Sequence, residues 1–168
     1  MSGRFSLARH TPVSACQQRL AIEMLLVGAD DDLLVVMRQS AARPETRVIG
    51  VIDDEGKLAG VLPVLRLAEA VVSRVAPEAL LADISDIGDV ARFGHAVESR
   101  VVRDVMVEPG VVRPEATLDE AFRLMHQRHL SGLYVIDTGG RPTGYLDLLE
   151  LVLLYVDALE APPPPSSG

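Results

Sequence analysis

The sequence is short of the residues on which several function classes depend. It has one cysteine, Cys16, in 168 residues. A single thiol excludes an internal disulfide and fits a reducing compartment, where Cys16 reads either as a small buried side chain or as a reactive thiol. Basic residues are scarce: 16 Lys and Arg stand against 24 Asp and Glu, a net charge of −8. Affinity for nucleic acid is chiefly electrostatic, so this balance argues against a nucleic-acid partner. No stretch approaches the roughly 20 apolar residues of a spanning helix, so no membrane partner is expected. Residues 1–19 read as a loose leader. Arg4 and Arg9 suit the basic region of a signal peptide, but Gln17, Gln18, Arg19 and Glu23 interrupt the apolar run behind them, so a cytoplasmic location is expected. Catalytic signatures are missing too: there is no G-x-S-x-G, no phosphate loop with its lysine and no cysteine pair. His126-x-x-His129 can place two imidazoles on one helix face, but nothing nearby supplies further ligands. Exposed helix histidines are the expectation, and the chain is read as no enzyme.

What is present is concentrated between Val101 and Leu159. Val111-Val112-Arg113 is a β-branched run stopped by Pro114, which predicts a strand. Thr117-Leu118-Asp119-Glu120 has the form of a capping box. Behind it Leu118, Ala121, Phe122 and Met125 recur at helical spacing and predict one core-facing stripe. Leu133–Asp137 and Thr143–Leu146 predict two strands joined through Thr138-Gly139-Gly140-Arg141-Pro142, and a more apolar helix follows from Asp147. The order is strand, helix, strand, strand, helix.

The same order appears earlier in worn form. Leu25-Leu26-Val27 predicts a strand, Asp30-Asp31-Asp32 can cap a helix over Leu33–Ser40, and Ala41–Glu45 reads as a loop insertion. Arg47–Asp53 and Leu58–Leu62 predict a hairpin, with Pro63 at the first turn of a following helix. Val51-Ile52-Asp53 maps onto Val135-Ile136-Asp137 at an offset of 84, and Gly60 maps onto Gly144 at the same offset. Two anchors with one offset indicate an internal repeat. The expected segments are a leader (1–19), a first, degenerate repeat (20–75), a connector (76–100), a second repeat (101–159) and a disordered Pro/Ser-rich tail (160–168). In the connector, Leu80, Leu81, Ile84 and Ile87 suggest a helical turn or two, which Gly88 and Gly94 are expected to break.

With Arg103-Asp104-Val105-Met106 at its start, Leu118-Asp119-Glu120-Ala121 and Leu124-Met125 on its first helix, and Val135-Ile136-Asp137 with Gly144-Tyr145-Leu146 in its hairpin, the second repeat resembles a CBS domain. The resemblance extends more faintly back to about Leu20. It implies an α/β (α+β) fold of tandem β-α-β-β-α repeats related by a pseudo-two-fold axis, a Bateman module. It also implies a regulatory role: an adenosine-type ligand (AMP, ATP, adenosine or S-adenosylmethionine) sensed in the crevice between repeats, with a signal to an unidentified partner protein.

The family's binding signature is Gly, two residues, Thr or Ser, two residues, Asp, at the start of the closing helix. Carried onto this chain, the ligand-binding set that the resemblance implies is Val112, Gly132, Leu133, Tyr134, Gly144, Asp147 and Glu150 in the second repeat, with Gly50 and Arg66 in the first. The chain departs from the signature at Asp147, Pro63 and Arg66. Asp147 stands where the hydroxyl residue belongs and puts a carboxylate where a phosphate would arrive. In the first repeat Pro63 and Arg66 replace the hydroxyl and the acid. Two readings of Asp147-x-x-Glu150 stand side by side: a ribose-binding acid, or a helix cap with its reciprocal acid and no ligand. Tyr134 either fills the space of a base or stacks on it. The alternative function is therefore a ligand-free dimerisation or interaction module. The helix from Leu148 to Val156 is apolar nearly all round, which predicts cover from a second chain or from the other repeat; a homodimer through the helices after Pro63 and Asp147 is expected.

Overall fold

Asp32 and Thr117 open the two halves in the same way. Asp32 Oδ1 accepts the Leu34 and Val35 amides at 2.8 and 3.3 Å. Thr117 Oγ1 accepts the Glu120 amide at 3.3 Å while Glu120 Oε2 accepts the Thr117 amide at 2.8 Å, so the capping box is formed. These caps start helices that carry each chain from one strand to its parallel neighbour, the crossover that parallel pairing requires. The computed structural model describes residues 10–15, 19–81 and 84–162. Cys16 and residues 163–168 of the expected tail lie outside the described residues.

The first repeat runs β1 (Leu26–Gly28), α1 (Leu33–Ala41), β2 (Val48–Ile52), β3 (Leu58–Pro63) and α2 (Val64–Val75). A short α3 (Glu78–Leu81) and α4 (Ile87–Glu98) follow. The second repeat runs β4 (Val111–Val112), α5 (Leu118–Arg128), β5 (Gly132–Ile136), β6 (Pro142–Asp147) and α6 (Leu148–Glu160). Each repeat has a three-stranded sheet with its middle strand parallel to the first and antiparallel to the third. The fold is mixed α/β, as expected.

The offset of 84 holds to the level of single hydrogen bonds. Gly60 is the Cα partner of Val51, and Gly144 is that of Val135. The register shifts after Val51 in one hairpin and after Val135 in the other. Asp53 Oδ1 accepts the Glu55 and Lys57 amides, and Asp137 Oδ1 accepts those of Gly139 and Arg141. The turns close through Gly56 (φ 78°) and Gly140 (φ 81°), left-handed positions that suit glycine. At the helix starts, Val64 N donates to Arg47 O and Leu148 N to Ser131 O, both at 3.0 Å.

The chain forms two compact units, each holding one repeat: Met24–Pro109, and Met1–Glu23 together with Gly110–Gly168. Residues 101–109, read from the sequence as the start of the second repeat, hydrogen-bond within the first unit. Val102 N donates to Asp31 O (3.0 Å), Arg103 N to Ala29 O (2.8 Å), and Val61 and Val107 exchange amides at 2.9 and 2.8 Å. That approach explains Gly60: a Cβ there would lie 3.0 Å from both Met106 Sδ and Val107 O. Residues 10–15 make the corresponding contacts in the other unit, with Val13 N to Ala116 O at 2.8 Å and Leu118 N to Thr11 O at 3.1 Å. The core of the Met24–Pro109 unit holds Leu33, Val36, Ile49, Val51, Leu62, Leu67, Val102 and Val105. Leu118, Ala121, Met125, Leu133, Val135, Leu146 and Leu151 are buried in the other unit.

Three local expectations are corrected. Gly88 and Gly94 do not break the connector, because α4 runs through both from Asp86, whose side chain accepts the Asp89 amide. Each glycine costs a helix about 1 kcal/mol, which capping and the packing of α4 on α2 offset. Phe122 is not part of the core stripe. It falls at the rim of α5, 43% exposed, stacked on His126 and edge-on to Tyr155. His129 leaves the helix altogether as a left-handed C-cap (φ 52°), so it shares no helix face with His126.

Candidate functional site

The closing helix of the second repeat begins on two buried acids. Asp147 and Glu150 are each 1% exposed. Asp147 Oδ2 accepts the Leu149 amide at 2.8 Å, and Glu150 Oε2 accepts the Asp147 amide at 3.3 Å. The carboxylates thus satisfy helix N-terminal amides that have no partner inside the helix. Glu150 Oε1 is engaged as well: it accepts the Leu20 amide at 3.0 Å, across 130 residues of chain. Both oxygens of Glu150 therefore hold backbone.

The other sequence-predicted residues of this repeat lie in rows across its sheet. Val112 and Gly144 flank Val135 on β5, and Tyr134 lies between Val111 and Tyr145. Gly132 is the Cα partner of Asp147 and so sits beside the helix start, with Leu133 next to it, fully buried. Tyr134 is fully buried, its ring edge-on to Tyr145 at 5.4 Å. Sequence reasoning passed over Tyr145 as a site residue. Its hydroxyl reaches 3.5 Å from Asp147 Oδ1, the outer limit of a hydrogen bond, and its ring lies across Gly132. A Cβ on Gly132 would meet the Tyr145 hydroxyl oxygen at 2.1 Å, so only glycine fits beneath that ring. The signal was present as Gly132 followed at thirteen residues by an aromatic, but spacing alone carries no register.

Gly50 and Arg66 belong to the other unit. Gly50 is buried on β2 between Leu26 and Val61. Arg66, in the first turn of α2, donates from Nε to Val105 O at 2.9 Å. Pro63 is the N-cap of α2 and supplies no side-chain acceptor, and the first turn of α2 has no acid. The two helix starts are therefore electrostatically unlike: α6 opens on two carboxylates, α2 on a guanidinium. Anions are drawn to bare helix N-termini and repelled by carboxylates placed there.

Asp104 is another acid that accepts backbone amides. Asp104 Oδ2 accepts the Arg100 and Val101 amides at 2.9 and 3.1 Å, which, with His95 and Arg103 nearby, holds its carboxyl below the usual range. Among the described residues no three His, Cys, Asp or Glu side chains gather as a metal site, and no helix is long and apolar enough to cross a membrane.

Comparison with known proteins gives one family. Residues 102–157 match the family model of the CBS domain. No curated protein matches the sequence. Among solved structures, a CBS domain-containing protein from Thermotoga maritima is 22% identical, with a TM-score of 0.68 over 86% of this chain and 93% of that one. The CBS-pair protein CBSX2 from Arabidopsis thaliana is 20% identical, with a TM-score of 0.63 over 90% of this chain and 98% of its own; CBSX2 has also been solved in complex with AMP. The CBS domain pair of protein MJ0100, solved with 5′-methylthioadenosine and S-adenosyl-L-methionine, is 13% identical with a TM-score of 0.63 over 87% and 96%.

Proposed function

We propose, from the match of residues 102–157 to the CBS-domain family model and the likeness of the chain's fold to CBS-domain pairs, that it is a regulatory module, not a catalyst, which senses an adenosine-type ligand and signals to a partner protein. The observation that carries the reading is the extent of the likeness. Near-complete CBS pairs cover 86–90% of the chain, and two of them were solved with AMP or with 5′-methylthioadenosine and S-adenosylmethionine. The charge at the helix starts refines the ligand. A phosphate directed at α6 would meet the Asp147 carboxylate, whereas α2 opens with no acid in its first turn. The second repeat then takes a neutral or cationic nucleoside, such as adenosine or S-adenosylmethionine, and a nucleotide's phosphates are tolerated only at α2. The test is thermal denaturation against AMP, ATP, adenosine and S-adenosylmethionine. A ligand that binds only the folded state adds about 2.7 kcal/mol at a hundred times its dissociation constant. The expected order is adenosine and S-adenosylmethionine ahead of ATP; no response to any at millimolar concentration refutes sensing.

A second reading has its own observation. Glu150 and Arg66, at equivalent positions, are both engaged with backbone, as in a pair that keeps the fold as an interaction module without a ligand. Either way the signal leaves through a surface. Leu149, Val152, Leu153, Val156 and Leu159 of α6 are all exposed. We propose a homodimer in which this face of α6 is covered by a second copy, with α2 contributing through its exposed Leu65.

A further inference from the structure

Gly132, Tyr134, Tyr145 and Asp147 share one face of the second sheet, because Gly132 pairs with Asp147, Tyr134 with Tyr145, and side chains alternate along a strand. The same face of the first sheet carries Val48, Gly50, Val61 and Pro63, each 84 residues earlier and in the same register. Bulk is distributed differently on the two faces. Val48 answers to Gly132, and Val61 to Tyr145. The side chain that Gly132 lacks leaves the place taken by the Tyr145 ring, and a Cβ on Gly132 would fall within the phenol group. The ring thereby extends to the start of α6, with its hydroxyl 3.5 Å from Asp147 Oδ1 and the Tyr134 ring edge-on beside it at 5.4 Å. Tyr145 is 4% exposed and Asp147 1%. The space between Gly132 and the first turn of α6 is thus filled by the chain's own side chain. Close-packed space rejects an added group by size, whatever its charge.

We propose that Tyr145 is a specificity-determining residue of the second repeat: a size filter that ends the site short of α6 and admits adenosine while rejecting a nucleoside with a bulky group in place of its 5′-hydroxyl. The filter rests on the adenosine-type ligand proposed above, with the end that carries a nucleotide's phosphates toward α6. Charge and size then give opposite orders for two ligands. The Asp147 carboxylate attracts the sulfonium of S-adenosylmethionine and is indifferent to adenosine. The Tyr145 ring leaves no room for the methionine chain that S-adenosylmethionine carries where adenosine has only a hydroxyl. The first repeat, with Val61 at the equivalent position, has no ring there.

The test titrates the full chain with adenosine and with S-adenosylmethionine, and hydrogen exchange over residues 144–151 assigns binding to the second repeat. The native chain should take adenosine about ten-fold more tightly. Tyr145→Val gives the second repeat the side chain of Val61 and should erase that preference, raising the affinity for S-adenosylmethionine relative to adenosine about ten-fold. Tyr145→Phe keeps the ring and should move the preference by less than about two-fold. Should Y145V fail to fold, Tyr145→Leu keeps more of the buried volume and carries the same comparison. A native chain that binds both ligands equally, or a preference that survives in Y145V, overturns the filter while sensing stands. An equal change in Y145F overturns it too, since the hydroxyl and not the ring would then be responsible. Protection confined to other residues places the ligand outside the second repeat, with the same consequence. Binding of neither ligand to the native chain or any variant refutes the sensing reading and the filter with it.

Discussion

Glu150→Gln separates a carboxylate that organises its surroundings from one that merely tolerates them. The substitution keeps shape and removes one acceptor. In the native chain Glu150 accepts two amides, the buried one of Asp147 at 3.3 Å and the part-buried one of Leu20 at 3.0 Å. A glutamine can serve only one with its carbonyl, and its NH2 group must then face the other. The buried Asp147 amide is the costlier to leave alone, so the carbonyl should turn there and the NH2 group should confront Leu20. The retained bond drops from charge-assisted to neutral, a loss of about 1 kcal/mol, and the abandoned one costs about another 1 kcal/mol because water can reach it. Removal of a buried charge offsets part of this, leaving a net loss of about 1–2 kcal/mol. Arg66→Gln is the matched control. It removes one bond from an exposed side chain and should cost less than about 1 kcal/mol. Urea denaturation gives the two values, and hydrogen exchange assigns them, since two units can open separately. Native stability in E150Q, or a larger loss in R66Q, would refute the reasoning.

Gly132→Ala should destabilise the second repeat by about 1–3 kcal/mol, because its Cβ would overlap the buried Tyr145 ring; in a Tyr145→Val background, where the first repeat's Val61 is mimicked, the loss should fall by more than half, and equal losses in both backgrounds sink the explanation. Asp104 has a lowered carboxyl in the folded chain, so its contribution is fully present above the unfolded value and fades as pH falls through the folded one. Asp104→Asn should therefore be less stable than the native chain at pH 7, by less than about 1 kcal/mol because solvent screens so open a carboxylate, with the gap closing below about pH 4; a gap constant with pH contradicts the assignment. Leu153→Glu charges the exposed face of α6 and should convert a dimer to monomer in analytical ultracentrifugation without shifting the monomer's circular dichroism; an unchanged sedimentation coefficient removes α6 from the interface.

Much of the fold was legible because it is written in local chemistry. The capping box at Thr117, the Asp-led turns at Asp53 and Asp137 and the glycines at 56 and 140 each act within four residues, and the offset of 84 repeats all but the first of them. What escaped is written in contacts between distant residues. Phe122 has the right spacing for the core stripe, but helix rotation against the sheet leaves it outside. Gly88 and Gly94 look like breaks until α4 is seen packed along α2. At the candidate site, the helix cap at Asp147 could be read from four letters, whereas nothing near Leu20 announces that its amide meets Glu150. The same holds for Val101–Pro109, whose pairing with Ala29, Asp31 and Val61 depends on which sheet edge the segment reaches.

The charge inversion between Arg66 and Glu150 then has a different meaning from loss of a binding residue. Each repeat must fasten a lead-in segment to the first turn of its closing helix. A backbone offers two handles, an amide and a carbonyl. The second repeat presents the Leu20 amide and needs an acceptor; the first presents the Val105 carbonyl and needs a donor. An acid and an arginine are the answers to those opposite demands, so the inversion preserves one structural task. It also fixes the electrostatics around it. Two carboxylates buried at α6 exclude a phosphate there, while α2, with proline as its cap and no acid in its first turn, leaves that end positive. The two helix starts therefore differ in charge, so that, on the ligand-sensing function proposed above, a charged nucleotide and a neutral nucleoside should not compete for the same end of this chain.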